Sequence, residues 1–331
     1  MRGLIARLWH GMVVVAIVAT ATFVLVRLAP GDPFSIAFDN ARLSPALRAQ
    51  WRAAYGLDGD IVTQFGHWLT ALVRGDLGWS VSMGLPVSQV IANALPYTLL
   101  LMGIALTLSF AIGMALGALQ AARQDRLADR GIGTVTLVGA ALPDFWLSLV
   151  ILLGGAYWLR LFPVGGAADA LLPISASGTT ILIDRLRHLV LPVLTLVILI
   201  AAPVARQQRA ALLDRLRADW VRTATAKGLA PGTVFRRHAW RTALGPVITL
   251  GGLTLPALVG GAVFVERVFA WPGMGRLAAE AVASRDYHLV VGCVLVGAVM
   301  VVIGSTLADL LAQRLDPRAA SADDDTARVP A

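Results

Sequence analysis

Long apolar runs separated by short polar segments set the pattern of this chain. Six runs are long enough to cross a bilayer, where about 20 residues rising about 1.5 Å each match a hydrocarbon core of about 30 Å. They occupy residues 9–26, roughly 95–119, roughly 133–158, 189–204, 243–265 and 289–311. The pattern predicts an all-α polytopic membrane protein with six transmembrane helices. The first run follows Arg2 and Arg7 and has the outline of a secretory signal. Its apolar stretch outlasts a usual signal core, and Ala19-Thr20-Ala21 falls inside it rather than after it, so an uncleaved anchor is expected.

The polar segments carry structure of their own. In the loop 28–93, Ser44-Pro45 reads as an N-cap followed by a proline suited to a first helical turn. Ile61, Val62, Phe65, Trp68, Leu69 and Leu72 recur at helical spacing. Two short helices are expected there, each with one apolar face lying on the protein or at the membrane surface. The segment 160–187 holds glycine, proline and serine turn signals. The end of the chain, "RAASADDDTARVPA", is small and polar and predicts disorder. This divides the chain into residues 1–94 (first helix and outer loop), 95–312 (a five-helix core) and 313–331 (a tail).

Composition agrees with the runs. Hydrophobic residues make up 57% and charged residues 15%, against about 25% charged in a soluble domain. The net charge is +8, and Lys227 is the sole lysine. Six spans place both termini on one side. That side holds Arg2 and Arg7, then Arg123, Arg126 and Arg130, then nine basic residues from Arg206 to Arg241, then Arg314, Arg318 and Arg328. The density of positive charge makes it the cytoplasmic side. Anionic lipid accounts for the basic balance, and no nucleic-acid partner is expected. Cys293 is the single cysteine, which excludes an intrachain disulfide and reads as a packing residue. The histidines are scattered without metal-ligand spacing.

The segment 206–241 interrupts the apolar pattern most sharply. Its charges keep it out of hydrocarbon, since each would cost roughly 2.5–3.5 kcal/mol at mid-bilayer. Residues 210–227 lack Pro and Gly and predict a helix. Gly228 stands where a helix ends in the left-handed conformation, and Pro231 opens a second short helix through Trp240. The result is a helical hairpin. Ala224, Ala226 and Gly228 would let another surface approach. Trp220, Val221, Leu229, Val234 and Phe235 would fill a partner's groove. The plainer alternative is a solvated basic face that only holds the loop inside.

"DWVRTATAKGLAPGTVFRRHAWRTALGPVI" resembles the cytoplasmic loop of the inner-membrane permeases of bacterial ABC importers, in the dipeptide, oligopeptide and nickel branch. "RLAPGDPF", "YGLDGDIVTQFGHWL", "GDLGWS", "FVERVFAWPGMGRL", "SRDYHLV" and the closing "LDPR" extend the resemblance over nearly the whole chain. It implies a type I ABC importer permease fold in the inner membrane. It also implies a second homologous permease, two cytoplasmic ATPase subunits and an extracytoplasmic substrate-binding protein as partners. Arg222, Ala224, Ala226, Lys227, Gly228 and His238 match the branch pattern of the ATPase-coupling loop. Arg222 stands where the wider family begins its motif with Glu, and Arg241 where it has Pro. Trp79, Asp144 and His288 also depart from the expected residue types.

Within the runs, Pro246, Gly251, Gly252 and Pro256 supply the freed carbonyls and close approach that a moving pathway helix needs. Asp144 beside Pro143 either lines the pathway and faces a cationic group, such as a peptide amino terminus, or marks a helix break and bonds local amides. Glu266 and Asp286 are outer-surface candidates by the same resemblance. The chain has no G-x-x-x-x-G-K-[ST] loop, so no cofactor is expected in it, and ATP and Mg would be bound by the partner subunits. No catalytic residue and no metal site is expected. A secondary transporter driven by ion gradients would want several ionisable groups in its spans, and Asp144 stands nearly alone. An intramembrane serine protease would need a Ser and a His at matching depth, and no His lies deep in a run. The expected function is a transport subunit that forms the pathway for peptides or similar small solutes.

Overall fold

The computed structural model describes residues 2–28, 60–173, 175–254 and 262–315. Helix dominates it. In chain order the helices are α1 (Arg2–Leu28), α2 (Ile61–Val73), α3 (Val87–Ala122), α4 (Leu127–Ala141), α5 (Asp144–Leu152), α6 (Gly178–Leu216), α7 (Asp219–Ala226), α8 (Pro231–Thr233), α9 (Trp240–Thr254), α10 (Val263–Val268), α11 (Met274–Ala283) and α12 (Tyr287–Leu315). Two π-helical segments, Leu153–Trp158 and Val234–Ala239, continue α5 and join α8 to α9. An antiparallel pair, β1 (Trp79–Ser80) and β2 (Leu85–Pro86), pairs Trp79 with Pro86 and Ser80 with Leu85.

Among the described residues, three helices, α3, α6 and α12, are long and apolar enough to cross a membrane. The run 133–158 does not form one straight span. It is a bent pair, α4 with α5 and its π extension, angled at 104°. The break falls at Leu142 and Pro143, both in extended backbone. Proline disfavours helical backbone in the residue before it and cannot continue the hydrogen-bond ladder. α1 and α2 contribute shorter apolar stretches, Trp9–Leu25 and Ile61–Val73. The helix expected at Ser44-Pro45, the tail expectation, and Pro256 with Gly260-Gly261 lie outside the described residues.

The chain divides into two compact units. One comprises residues 1–97 and 273–300. Its core holds Val87, Val90, Ile91, Ala94, Met274, Leu277, Ala281, Leu289 and Cys293. Gly292 lets α12 approach α3, because a Cβ there would lie 2.5 Å from Val87 Cγ1. Phe65 and Trp68 of α2 stack against Phe23 of α1 at centroid separations of 5.2 and 5.1 Å. The helical spacing read in residues 61–72 is thus realised, with one face on the protein. Asp60 caps α2, and its hydrogen bonds from the Thr63 side chain and backbone hold its carboxyl below the usual range.

The other unit comprises residues 98–272 and 301–331 and is organised around α6. At 39 residues this helix is about 58 Å long, roughly twice the hydrocarbon thickness. It therefore extends beyond the apolar run 189–204 at both ends. α4 and α9 pack on it most extensively. Gly113 and Gly117 of α3 set the closest approach: Cβ atoms there would lie 2.7 Å from the Ala201 carbonyl and 2.4 Å from the Ala205 carbonyl. Small residues one turn apart let two helix backbones meet. Leu101, Met102, Ala105, Leu189, Val193, Leu196, Val265, Phe269 and Trp271 form the main apolar core.

Candidate functional site

The hairpin between α6 and α9 is built from local signals. The helix expected over 210–227 is interrupted: α6 stops at Leu216, Ala218 adopts extended backbone, and α7 begins at Asp219. No glycine or proline marks this joint. The signal present is Asp219 itself, since a carboxylate in the first turn favours a helix start through the helix dipole. The end of α7 follows the expectation. Gly228 has φ +80°. Its amide donates to the Thr225 carbonyl at 2.9 Å and the Leu229 amide donates to the Ala224 carbonyl at 3.4 Å. These two bonds are those of a Schellman motif, in which a left-handed glycine closes the helix. Pro231 then takes the first helical position of α8. From Pro231 to Thr254 the helical turns run on without a break, through the π segment Val234–Ala239 into α9. The second arm is therefore not a separate short helix ending at Trp240.

The hairpin's inner and outer faces can be assigned residue by residue. Val221, Ala224 and Val234 are buried against one another and fasten α7 to the second arm. Val221, Val234 and Ala224 thus hold the hairpin shut rather than offering themselves to a partner. Phe235 is half-buried beside Leu212, Ala239 and Ala243 at the base. The outer face presents Arg222, Ala226, Lys227, Gly228, Ala230, Pro231, Gly232, Arg236 and Arg237, all exposed. Trp220 and Leu229, at 38% and 39% exposure, are the large apolar groups on it. A Cβ at Gly228 would meet no atom within 4 Å. Arg222 lies 3.5 Å from Asp219, with both side chains largely exposed, and such a pair contributes at most about 1 kcal/mol. His238 belongs to the π segment, but its side chain lies outside the described residues.

Sequence reasoning missed the group that anchors this hairpin at its base. Asp129, in the first turn of α4, is buried, and Arg209 of α6 grips it bidentately: Nε donates to Oδ1 at 2.8 Å and Nη2 to Oδ2 at 2.7 Å. The Asp125 amide and Gln120 Nε2 also donate to the carboxylate. The Arg209 side chain is 32% exposed, so losing it costs less than the roughly 3–5 kcal/mol of a fully buried pair. The available signal was a lone acid between Arg126 and Arg130, which charge counting had absorbed into the basic side.

The pathway candidates fall in two places. Asp144 is half-buried at the first position of α5, just after the bend. Its Oδ1 accepts from the Phe145 amide at 3.1 Å and its carbonyl accepts from Ser148 Oγ at 2.6 Å. No ion pair involves it among the described residues. Pro246 lies inside α9, and Gly251 approaches Phe110, where a Cβ would come within 3.4 Å. Gly251 and Gly252 are both half-buried.

Glu266 and Asp286 are not surface charges. Glu266 is 0% exposed, and its Oε1 accepts from Thr98 Oγ1 at 2.7 Å. Its carbonyl accepts from the Trp271 amide at 2.7 Å, closing a turn in which Ala270 has φ +50°. Asp286, 2% exposed, accepts from Ser80 Oγ (2.6 Å), the Ser82 amide (2.9 Å), Ser82 Oγ (2.8 Å) and the Leu289 amide (3.2 Å). It caps α12 and clamps the β1–β2 hairpin to it. A carboxylate at the end of an apolar run reads as interfacial in the sequence, but these two have acceptor sites filled by hydroxyls and amides from distant chain segments. Among the departures from the family pattern, His288 turns out to neighbour the residue preceding Trp79: a Cβ on Gly78 would lie 2.6 Å from His288 Cδ2.

Long apolar helices, closely packed through glycine, with an exposed basic hairpin at the end of the longest, define a polytopic membrane protein that meets something outside the bilayer. The comparisons make the class specific. Residues 111–321 match the family described as binding-protein-dependent transport system inner membrane component, and residues 1–102 its N-terminal region. The chain belongs to this family and is an inner-membrane permease component. It is similar to the oligopeptide transport system permease protein AppB of Bacillus subtilis, 38% identical over 298 residues, covering 90% of this chain and 92% of that one. The di/tripeptide transport system permease protein DppB of Pseudomonas aeruginosa is 35% identical over 313 residues, covering 91% and 93%. Its fold is similar to a chain of the MetNI methionine ABC transporter in inward-facing conformations, with TM-score 0.52 and 15% identity over 69% of this chain and 97% of that chain.

Proposed function

We propose that this chain forms the translocation pathway of an ATP-driven importer for peptides or similar small solutes. The hairpin within residues 206–241 would couple it to cytoplasmic ATPase subunits. Both termini then lie in the cytoplasm, six spans cross the membrane, and a second similar permease completes the pathway. Two ATPases bind ATP and Mg below, and an extracytoplasmic binding protein delivers the solute above. The observation that carries the reading is the outer face of the hairpin. It is a rigidly closed tip, turned by Gly228, with small residues at the bend, flanked by Trp220 and Leu229 and ringed by Arg222, Lys227, Arg236 and Arg237. Such a surface fits a groove on a soluble partner, and its inner face is already satisfied by Val221, Ala224 and Val234. The peptide permeases among its relatives support the choice of cargo. A secondary transporter is disfavoured because Asp144 is nearly the only ionisable residue within the pathway candidates.

The test is capture and uptake. Purification of the tagged chain in detergent should recover ATPase subunits, and vesicles should take up peptide only with ATP inside the ATPase compartment. Gly228→Val places a β-branched residue at φ +80°, a conformation that costs an ordinary residue about 1–2 kcal/mol and a β-branched one more. It should abolish ATP-coupled uptake at normal expression. Uptake that persists without any ATPase would overturn the reading.

A further inference from the structure

A cluster of buried amides beside the hairpin's base keeps unmet polar atoms. Gln208 of α6 is 0% exposed, and neither its Nε2 nor its Oε1 meets a polar partner among the described residues. Gln120 of α3, 3% exposed, is half satisfied: its Nε2 donates to Asp129, while its Oε1 is buried without a partner. Both sit where α3 crosses α6. A Cβ at Gly117 would lie 2.8 Å from Gln208 Cβ and 3.0 Å from the Arg209 amide nitrogen, and Gln120 is the next turn of α3. Arg209, adjacent to Gln208 in the chain, holds Asp129 of α4.

An unmet donor, Gln208 Nε2, and an unmet acceptor, Gln120 Oε1, thus sit on two helices whose backbones meet at Gly113 and Gly117. Buried amides are disfavoured without partners, so an arrangement that joins these two is favoured by the bond it makes. The Asp129–Arg209 bridge ties α4 to α6, and Gln120 hangs on the same carboxylate. A shift of α6 along α3 would move Gln208 past Gln120 and, through the bridge, draw α4 with it, releasing Gln120 Nε2 from Asp129.

We propose that Gln208 and Gln120 are positioning residues of a two-state switch. They are apart in the arrangement seen and bonded to each other in the alternative transport state, with the Asp129–Arg209 bridge holding the register between α4 and α6. The inference rests on the coupled-importer reading. In the seen state Gln208 opposes stability, and in the other it contributes.

Gln208→Leu, near in volume and without polar atoms, separates the possibilities in the assembled transporter. It should raise the melting temperature by a few degrees. It should also lower ATP-dependent uptake on the order of tenfold, with more ATP hydrolysed per peptide moved. Gln120→Leu should lower uptake as well, and the double variant should be no slower than the slower single one, because both remove the same bond. A melting temperature that falls would mean Gln208 is satisfied where it stands, by buried water, and would overturn the switch. So would unchanged uptake in Gln208→Leu, or single effects that multiply in the double variant. If the parent transporter takes up peptide without ATPases, it is the coupled-importer reading that fails. If the parent is ATP-coupled and Gln208→Leu matches it, only the switch fails.

Discussion

Asp286 accepts four hydrogen bonds from groups on two segments about 200 residues apart. Asp286→Ala would take the acceptor from the Ser80 hydroxyl and the Ser82 amide and uncap α12. Each buried group left unmet costs about 1–3 kcal/mol, and a lost cap typically about 1. The expected result is a melting temperature lower by several degrees and faster proteolysis within residues 80–86, with Asp286→Asn milder because its one carbonyl oxygen keeps either the Ser80 and Ser82 bonds or the Leu289 cap. This is also where reading from sequence failed. The resemblance marked Asp286 and Glu266 as outer-surface candidates, but the hydroxyls that bond them, Ser80, Ser82 and Thr98, are remote in the chain and carry no local mark. Gly228 was legible because its role is wholly local: a helix end needs a left-handed residue, and glycine provides it without strain. Ala224, read as open to another surface, is buried against Val221 and Val234; the sequence does not show that Val234 folds back over it.

Among the elements, apolar runs located the helices well and their ends poorly. α6 outruns its apolar run because solvated backbone on either side is also rich in helix formers, so hydropathy marks the membrane and not the helix. The joint at Arg217 and Ala218 escaped notice because only the acid at Asp219 announces it. The bend between α4 and α5 was legible as Pro143 beside Asp144, while its 104° angle depends on packing against α6. The break persists in Asp144→Asn, because the preceding proline enforces it, so this variant isolates the charge. If the carboxylate faces cargo, uptake of peptides with a free amino terminus should fall severalfold relative to N-acetylated ones, at unchanged melting temperature. Equal rates for both would assign Asp144 to the helix break alone.

For the whole molecule, orientation rests on the distribution of arginine, and it can be measured directly. In a Cys293→Ala background, single cysteines at Val73 and Lys227, both exposed, should report opposite sides. A membrane-impermeant maleimide should label Val73→Cys in intact spheroplasts and Lys227→Cys only after permeabilisation. The reverse pattern would turn the molecule over and remove the hairpin from any cytoplasmic motor. The two arms of that hairpin also differ in continuity. One is interrupted at Ala218; the other winds from Pro231 to Thr254 without a gap. A displacement at the tip would reach α6 across the joint at Arg217 and Ala218. On the other side it would pass along unbroken helical turns, like a thrust through a rod, to Pro246 and the glycine pair beyond it.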